Sequence, residues 1–97
     1  MSAMIKRTED EDIDLAALCK ALGHPARVAI VRYLAEQGKC VFGDLSEQIS
    51  LAPSTVSQHV TILKEAGLVL ASAREQRMCY CINPDRMGLL KRLVRGL

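Results

Sequence analysis

The amino-acid sequence predicts a mainly α-helical domain that carries one small β-hairpin. Within Asp44–Gly67, apolar residues recur at helical spacing on both sides of a short break, as in two helices joined by a tight turn. Two β-prone runs follow, separated by a polar, basic turn. Because only two Tyr and one Phe are present, the core must be mainly aliphatic, which is typical of a helix-rich chain. Together these features predict a winged helix-turn-helix, which is a DNA-binding arrangement.

The first predicted helix begins at about Asp12. Apolar residues follow at positions 13, 15, 18 and 22, and Gly23 is expected to stop the helix. The residues before it are acidic and of low complexity, so we expect residues 1–11 to form a flexible arm. Residues 12–97 are then one winged helix-turn-helix domain for DNA binding and dimerisation, since a chain this short makes a single domain.

The second predicted helix opens at Pro25 and runs to about Gln37. Proline suits the first turn, where its missing N–H costs little, and Gly38 ends the pattern. We expect His24 to cap or pack at the start of this helix rather than to perform chemistry. The apolar contacts are predicted to come from Val28, Ile30, Val31, Leu34 and Ala35.

The helix-turn-helix comes next. Leu45 and Ile49 are four residues apart, residues 50–52 break the period, and Pro53 opens the second helix. Its apolar face is predicted to hold Val56, Val60 and Leu63. Short polar side chains that suit base edges, and one cation that suits a phosphate, face outward. They are Ser54, Ser57, Gln58, Thr61 and Lys64. An ordinary amphipathic surface helix is the alternative.

The hairpin is predicted from residues 68–70 and 78–82, which flank a polar turn at residues 72–77. Arg74 and Arg77 would stand at or near its tip, where a cation reaches phosphates or an adjacent minor groove. A solvated loop whose charges only maintain solubility is the alternative.

The last predicted helix covers residues 85–97. Its apolar stripe is formed by Met87, Leu90, Leu93, Val94 and Leu97. A body this small cannot bury that stripe well, so we expect the two terminal helices to pair in a homodimer. Such a dimer would present two recognition helices to a pseudo-palindromic double-stranded DNA site. The alternative is a monomer whose last helix folds back.

Charge placement supports a DNA partner. The formal charge is +2, but two basic and five acidic side chains give residues 1–14 a charge of −3, which leaves +5 for residues 15–97. No apolar run approaches the roughly 20 residues that span a bilayer, and the amino end has no signal pattern. We therefore expect a cytoplasmic protein with no membrane partner.

Two runs, ALGHPARVAIVRYL (21–34) and STVSQHVTILKEAGLV (54–69), make the chain resemble the ArsR/SmtB family of small bacterial winged-helix repressors. The match spans about Leu15 to Asn83, with a specific Ser-x-His element at Ser57 and His59. The resemblance implies a dimeric repressor that leaves its operator when it senses an inducer. It also implies DNA contacts from Ser54, Thr55, Ser57, Gln58 and His59. His59 flanks the buried face, so packing or bonding to the backbone is its alternative role.

Four cysteines are more than packing requires in a short cytosolic chain, where disulfide scaffolding is not expected. Many relatives bind soft metals through Cys-x-Cys before the recognition helix. Here Phe42 replaces the second thiol after Cys40, and Gly43 lengthens the segment, so that site is broken. The zinc set of the last helix is also missing, because Asp85 has no histidine downstream.

Two sets of thiols remain. Cys79 and Cys81 are two apart on a predicted strand and share a face, so they could bind a thiophilic ion or become oxidised. Cys19 and Cys40 form the second set, by resemblance to arsenic sensors that combine first-helix thiols with one near the partner's helix-turn-helix. As(III), Sb(III) or a thiol oxidant is therefore the hypothetical inducer. The alternative is that each cysteine only packs.

Two rival functions belong to other classes. A winged helix also serves as a protein-interaction adaptor, which predicts no salt-sensitive DNA affinity. An enzyme is disfavoured because the sequence has no phosphate loop, no catalytic triad and no metal-hydrolase spacing. A repressor with a redox or non-thiol inducer is a further alternative.

Overall fold

The computed structural model describes residues 9–97, and the first eight residues of the predicted arm lie outside it. The elements are α1 Glu9–Ala21, α2 Pro25–Gln37, β1 Val41–Phe42, α3 Ser46–Ile49, α4 Pro53–Glu65, β2 Val69–Arg74, β3 Arg77–Ile82 and α5 Pro84–Arg95. The predicted fold class, mainly helical with a small hairpin, is confirmed. None of these helices, within the described residues, is long and apolar enough to cross a membrane.

The first two helices differ in how closely they follow prediction. Helix α1 begins at Glu9, three residues early, because its first turn is acidic and suits the positive end of the helix dipole. It therefore includes the last three residues of the predicted arm. Helix α2 has its predicted bounds, and His24 caps it as expected, since its Nδ1 accepts the Ala26 N–H at 3.0 Å.

The helix-turn-helix consists of α3, a single turn, followed by α4. The Asp44 carboxylate accepts the Ser46 N–H at 2.8 Å at the start of α3, and this hydrogen bond lowers the pKa of Asp44. Ser50 makes the turn in the left-handed region at φ 62. Helix α4 then begins at Pro53, and its predicted buried residues, Val56, Val60 and Leu63, are buried.

The sheet has three antiparallel strands in the order β1-β3-β2, one more than the sequence predicts. Strand β1 was missed because it has only two residues. Strands β2 and β3 pair as far as Arg74 and Arg77, so the turn is only Glu75–Gln76 and not residues 72–77. Both turn residues have positive φ, 51 and 67, which is the pattern of a type I′ hairpin turn.

The core lies between the helices and one face of the sheet. Its fully buried side chains are aliphatic, as predicted: Leu18, Ile30, Leu34, Leu45, Leu63, Leu68 and Val69. Ile13, predicted for the apolar side of α1, is instead 64% exposed because no element covers it within the described chain. We call the opposite side of the sheet the outer sheet face. The pairing register places Phe42, Leu70, Ser72, Arg74, Arg77, Cys79 and Cys81 on it.

Candidate nucleic-acid interface

Helix α4 presents a polar face to solvent along its whole length. The exposed residues are Ser54, Ser57, Gln58, Thr61 and Lys64, whereas Thr55 is half-buried. Thr61 donates its hydroxyl to the Ser57 carbonyl at 2.9 Å, so that hydroxyl is left with acceptor capacity for an outside donor. This face therefore offers amide, hydroxyl and ammonium groups on one rigid helix, and these groups can contact bases and phosphates.

The amino end of α4 adds an electropositive element. Its cap residue, Ala52, makes no side-chain hydrogen bond to the first turn, and Pro53 occupies the first helical position. The N–H groups of the first turn thus have no side-chain cap, and the helix dipole favours an anion at this end. A phosphate is suited to that position.

His59 lies differently from its neighbours on α4. It is half-buried, its ring centroid is 4.5 Å from that of His24, and its Nδ1 is 3.1 Å from an Arg27 nitrogen. Since arginine can only donate, Nδ1 must accept, and the neutral ring carries its proton on Nε2. Burial lowers the pKa of His59, and the charges of His24 and Arg27 lower it further. The imidazole is therefore held neutral and fixed in one tautomer.

Arg27 has a structural role that the sequence did not indicate. Its Nε donates to the Ala21 carbonyl near the end of α1, while its other nitrogen meets His59 on α4. The side chain is half-buried. It thus connects α1, α2 and the recognition helix, and it is less available to a phosphate than an exposed cation would be.

The hairpin tip carries the two predicted arginines. Arg74 and Arg77 are both exposed and stand directly opposite each other as the last pair of the β2–β3 ladder. Like charges in directly opposed positions destabilise a sheet. The Arg77 guanidinium carbon also lies 5.0 Å from the centroid of the Phe42 ring, within cation–π range. Strand β1 therefore presents an aromatic side chain to the wing.

The structure keeps Cys79 and Cys81 together on β3 and adds Cys40 to them. Cys40 is bonded to Cys81, with their Cα atoms 4.4 Å apart, a pairing that the sequence analysis did not predict. The bond forms because β1 pairs Val41 with Tyr80, which places Cys40 opposite Cys81. The Sγ atoms of Cys40, Cys79 and Cys81 lie within 4.8 Å of one another. Cys79 is buried and Cys40 is exposed. We call these three residues the thiol cluster.

Cys19 is not in the thiol cluster. It is exposed on α1 and lines an apolar groove of about 480 Å³ with Leu22, Met87 and Val94 of the terminal helices. Cys19 lies apart from Cys40 within one chain, and the predicted set, which would combine them across two protomers, stays a prediction. The terminal stripe is only partly buried: Leu90 is 7% exposed, whereas Val94 is 46% and Leu97 is 90% exposed.

Comparison with known proteins gives a consistent result. The family model for bacterial regulatory proteins of the arsR family matches residues 24–70. An uncharacterized HTH-type transcriptional regulator of Methanocaldococcus jannaschii is 34% identical over 82 residues, which cover 84% of this chain and 92% of that protein. The biofilm growth-associated repressor of Agrobacterium fabrum is 32% identical over 97 residues, which cover all of this chain and 76% of that protein. HlyU from Vibrio cholerae superposes with a TM-score of 0.74 at 26% identity, covering 91% of this chain and 96% of HlyU.

Proposed function

The chain is a transcriptional regulator of the ArsR family, and we propose that it is a repressor that binds a pseudo-palindromic operator as a homodimer and is released by a thiol-binding inducer. The relatives are named as regulators, which implies DNA binding rather than catalysis. The observation that carries the proposal is the exposed polar face of α4 beside a wing with two opposed arginines.

Base contacts are assigned to the exposed polar residues of α4. Gln58 is the strongest candidate for specificity, because its amide can both donate to and accept from an adenine edge. Ser54, Thr55, Ser57 and Thr61 supply shorter polar contacts from the same helix. His59 is assigned a supporting role, since its Nδ1 is already occupied by Arg27 and only its Nε2 remains for DNA.

Phosphate contacts are assigned to Lys64, Arg74 and Arg77. The opposed pair at the wing tip repels itself in the absence of a partner, and an anion between or beside the two guanidinium groups would remove that repulsion. Phosphate contacts carry no sequence information but supply most of the affinity, so these residues set strength and salt dependence.

Dimerisation is assigned to the terminal helices. Helices α1 and α5 pack on each other, and Arg92 pairs with Glu11 at 3.2 Å, so together they form one surface. The apolar groove on that surface and the exposed Ile13, Val94 and Leu97 would be covered by a second copy. A two-fold pair brings two α4 helices to successive major grooves.

The inducer we propose is As(III) or Sb(III), bound by the thiol cluster in its reduced form. The three Sγ atoms lie within 4.8 Å of one another, so once the Cys40–Cys81 bond is reduced one soft ion with bonds of about 2.3 Å can be shared by all three thiolates after small side-chain adjustments. A cleft of about 380 Å³, lined by Leu34, Lys39, Cys40 and Cys81, gives solvent a path to two of the sulfurs. Release from DNA requires the ion to bind the off-DNA form more tightly, with a coupling typically of ~1–3 kcal/mol.

The test is fluorescence anisotropy of a duplex carrying the protein's own upstream region, with a shuffled duplex for comparison. Reduced protein is expected to bind the upstream duplex more tightly than the shuffled one. Its affinity should fall as the salt concentration rises, and arsenite should release it from the DNA. Cys79→Ser is expected to abolish release, whereas the matched control Cys19→Ser keeps it. Release that survives in Cys79→Ser removes the thiol cluster as the sensor. If arsenite does not change DNA binding, the repressor proposal stands and this inducer is rejected. If no salt-dependent DNA binding is detected, the result favours a protein-interaction adaptor.

A further inference from the structure

Phe42 is a large side chain that the core does not use. It is 46% exposed on the outer sheet face, and its ring lies 5.0 Å from the Arg77 guanidinium carbon. On the same face, its direct partner across β1 and β3 is Cys79, a member of the thiol cluster. Phe42 therefore stands between the thiol cluster and the basic tip of the wing.

The strand that carries Phe42 has little to hold it. Strand β1 has two residues, and it is flanked by Gly38 and Gly43, both at positive φ, 66 and 95. Directly after β1, the Gly43 N–H donates to the Met78 carbonyl at 3.0 Å. Directly before β1, the Cys40–Cys81 bond joins this segment to β3. This bond is the one covalent attachment of β1 to β3 among the described residues.

We propose that Phe42 is a positioning residue for Arg77, and that the Cys40–Cys81 bond keeps Phe42 under the guanidinium, so that closing the bond strengthens wing contact with DNA. The inference rests on the proposed DNA-binding function. It gives the wing an affinity for DNA that depends on the redox state of Cys40 and Cys81. An oxidant that closes this bond is expected to tighten DNA binding, whereas an inducer weakens it.

The chemical step is a thiol–disulfide exchange. A dithiol reductant supplies two electrons and two protons, the S–S bond between Cys40 and Cys81 breaks, and both become thiols while the reductant closes its own disulfide. Without the bond, the two-residue strand is free to leave β3, and Phe42 no longer fixes the Arg77 rotamer. Binding a phosphate must then restrict a freely rotating arginine side chain, and the conformational entropy lost in that step weakens DNA binding.

The experiment compares dissociation constants for the upstream duplex with oxidised protein and with protein reduced by dithiothreitol. An exposed cation–π contact corresponds to about a two- to fivefold change in affinity per wing, or roughly 4- to 25-fold for two wings. Reduction is expected to weaken DNA binding by the wild-type protein by that factor. Phe42→Leu should bind like reduced wild type in both states, whereas Phe42→Tyr, which keeps the aromatic face, should restore the difference. Leu70→Ala, which truncates another exposed apolar residue of the sheet, is the matched control.

A second readout needs no DNA. In NMR spectra of the oxidised protein, the Arg77 side-chain protons are expected to show ring-current shifts that disappear in Phe42→Leu and on reduction. Absent shifts in the oxidised protein, or a redox effect that persists in Phe42→Leu, would overturn the inference. If Arg77→Ala leaves DNA affinity unchanged while the shifts are present, the proposed wing contact fails instead, and the two failures are thus distinguished.

Discussion

Replacing both wing arginines with alanine is expected to change the salt dependence of DNA binding in a calculable way. Each wing presents Arg74 and Arg77, so a dimer loses four phosphate contacts. Each contact contributes about −0.9 to the slope of log K against log salt, so the variant's slope should be less steep by about 3.6. Between about 50 and 200 mM salt, the wild type should lose roughly 150-fold more affinity than the variant.

The assay is an anisotropy titration at four or more salt concentrations, on both the upstream and the shuffled duplex. Because phosphate contacts are independent of sequence, affinity for both duplexes should fall by the same factor and their ratio should stay constant. Lys20→Ala, on α1 outside the helix-turn-helix and the wing, controls for the loss of one charge. An unchanged salt slope would refute the assignment of these arginines to DNA phosphates. A ratio of upstream to shuffled affinity that falls in the double-alanine variant would refute it as well.

Four further changes test other parts of the argument. Gln58→Ala should lower the preference for the upstream duplex by about 5- to 150-fold for each of the two half-sites, the range for one lost base contact, with little change on shuffled DNA; equal losses on both would contradict base recognition. Gln76→Gly should raise the free energy of unfolding by about 1 kcal/mol in urea titrations, because φ 67 is costly for a residue with a Cβ. Gly67→Ala should destabilise by about 1–2 kcal/mol for the same reason at φ +83, whereas contact with the flexible Arg86 side chain adds little. The folded-state pKa of His59 is lowered from its ordinary 6.5, so the stability that the neutral ring contributes is present above pH 6.5 and is lost as pH falls through the folded pKa. His59→Gln should flatten this part of the plot of unfolding free energy against pH, and an unchanged plot would show that His59 is not its cause.

Local sequence patterns predicted the helices well. Helix α2 has its predicted bounds because Pro25 and Gly38 mark both ends, and the buried face of α4 follows from three apolar residues at helical spacing. The predicted phosphate-binding arginines do stand at the hairpin tip, although the turn is tighter than expected. Such features depend on residues a few positions apart, which the chain's own spacing specifies.

Two features of the structure were not predicted from the sequence. Val41 and Phe42 are β-prone residues between two glycines, which suits a short edge strand. Arg27 and His59 are separated by 32 residues, and nothing in either local pattern indicates that they meet. The first was overlooked because two residues are too few to show a period, and the second because it depends on how α2 packs on α4.

The sequence by itself determined the helical and strand periods, the aliphatic core, the exposed polar face of α4 and the basic hairpin. The tertiary structure alone decided which distant side chains meet. Cys40 joins Cys81 across 41 residues, and Phe42 lies under Arg77, because a two-residue strand pairs with the far edge of the hairpin. Helical and strand periods repeat over a few residues and are visible in a sequence, whereas a pairing register is set by the packing of the whole domain.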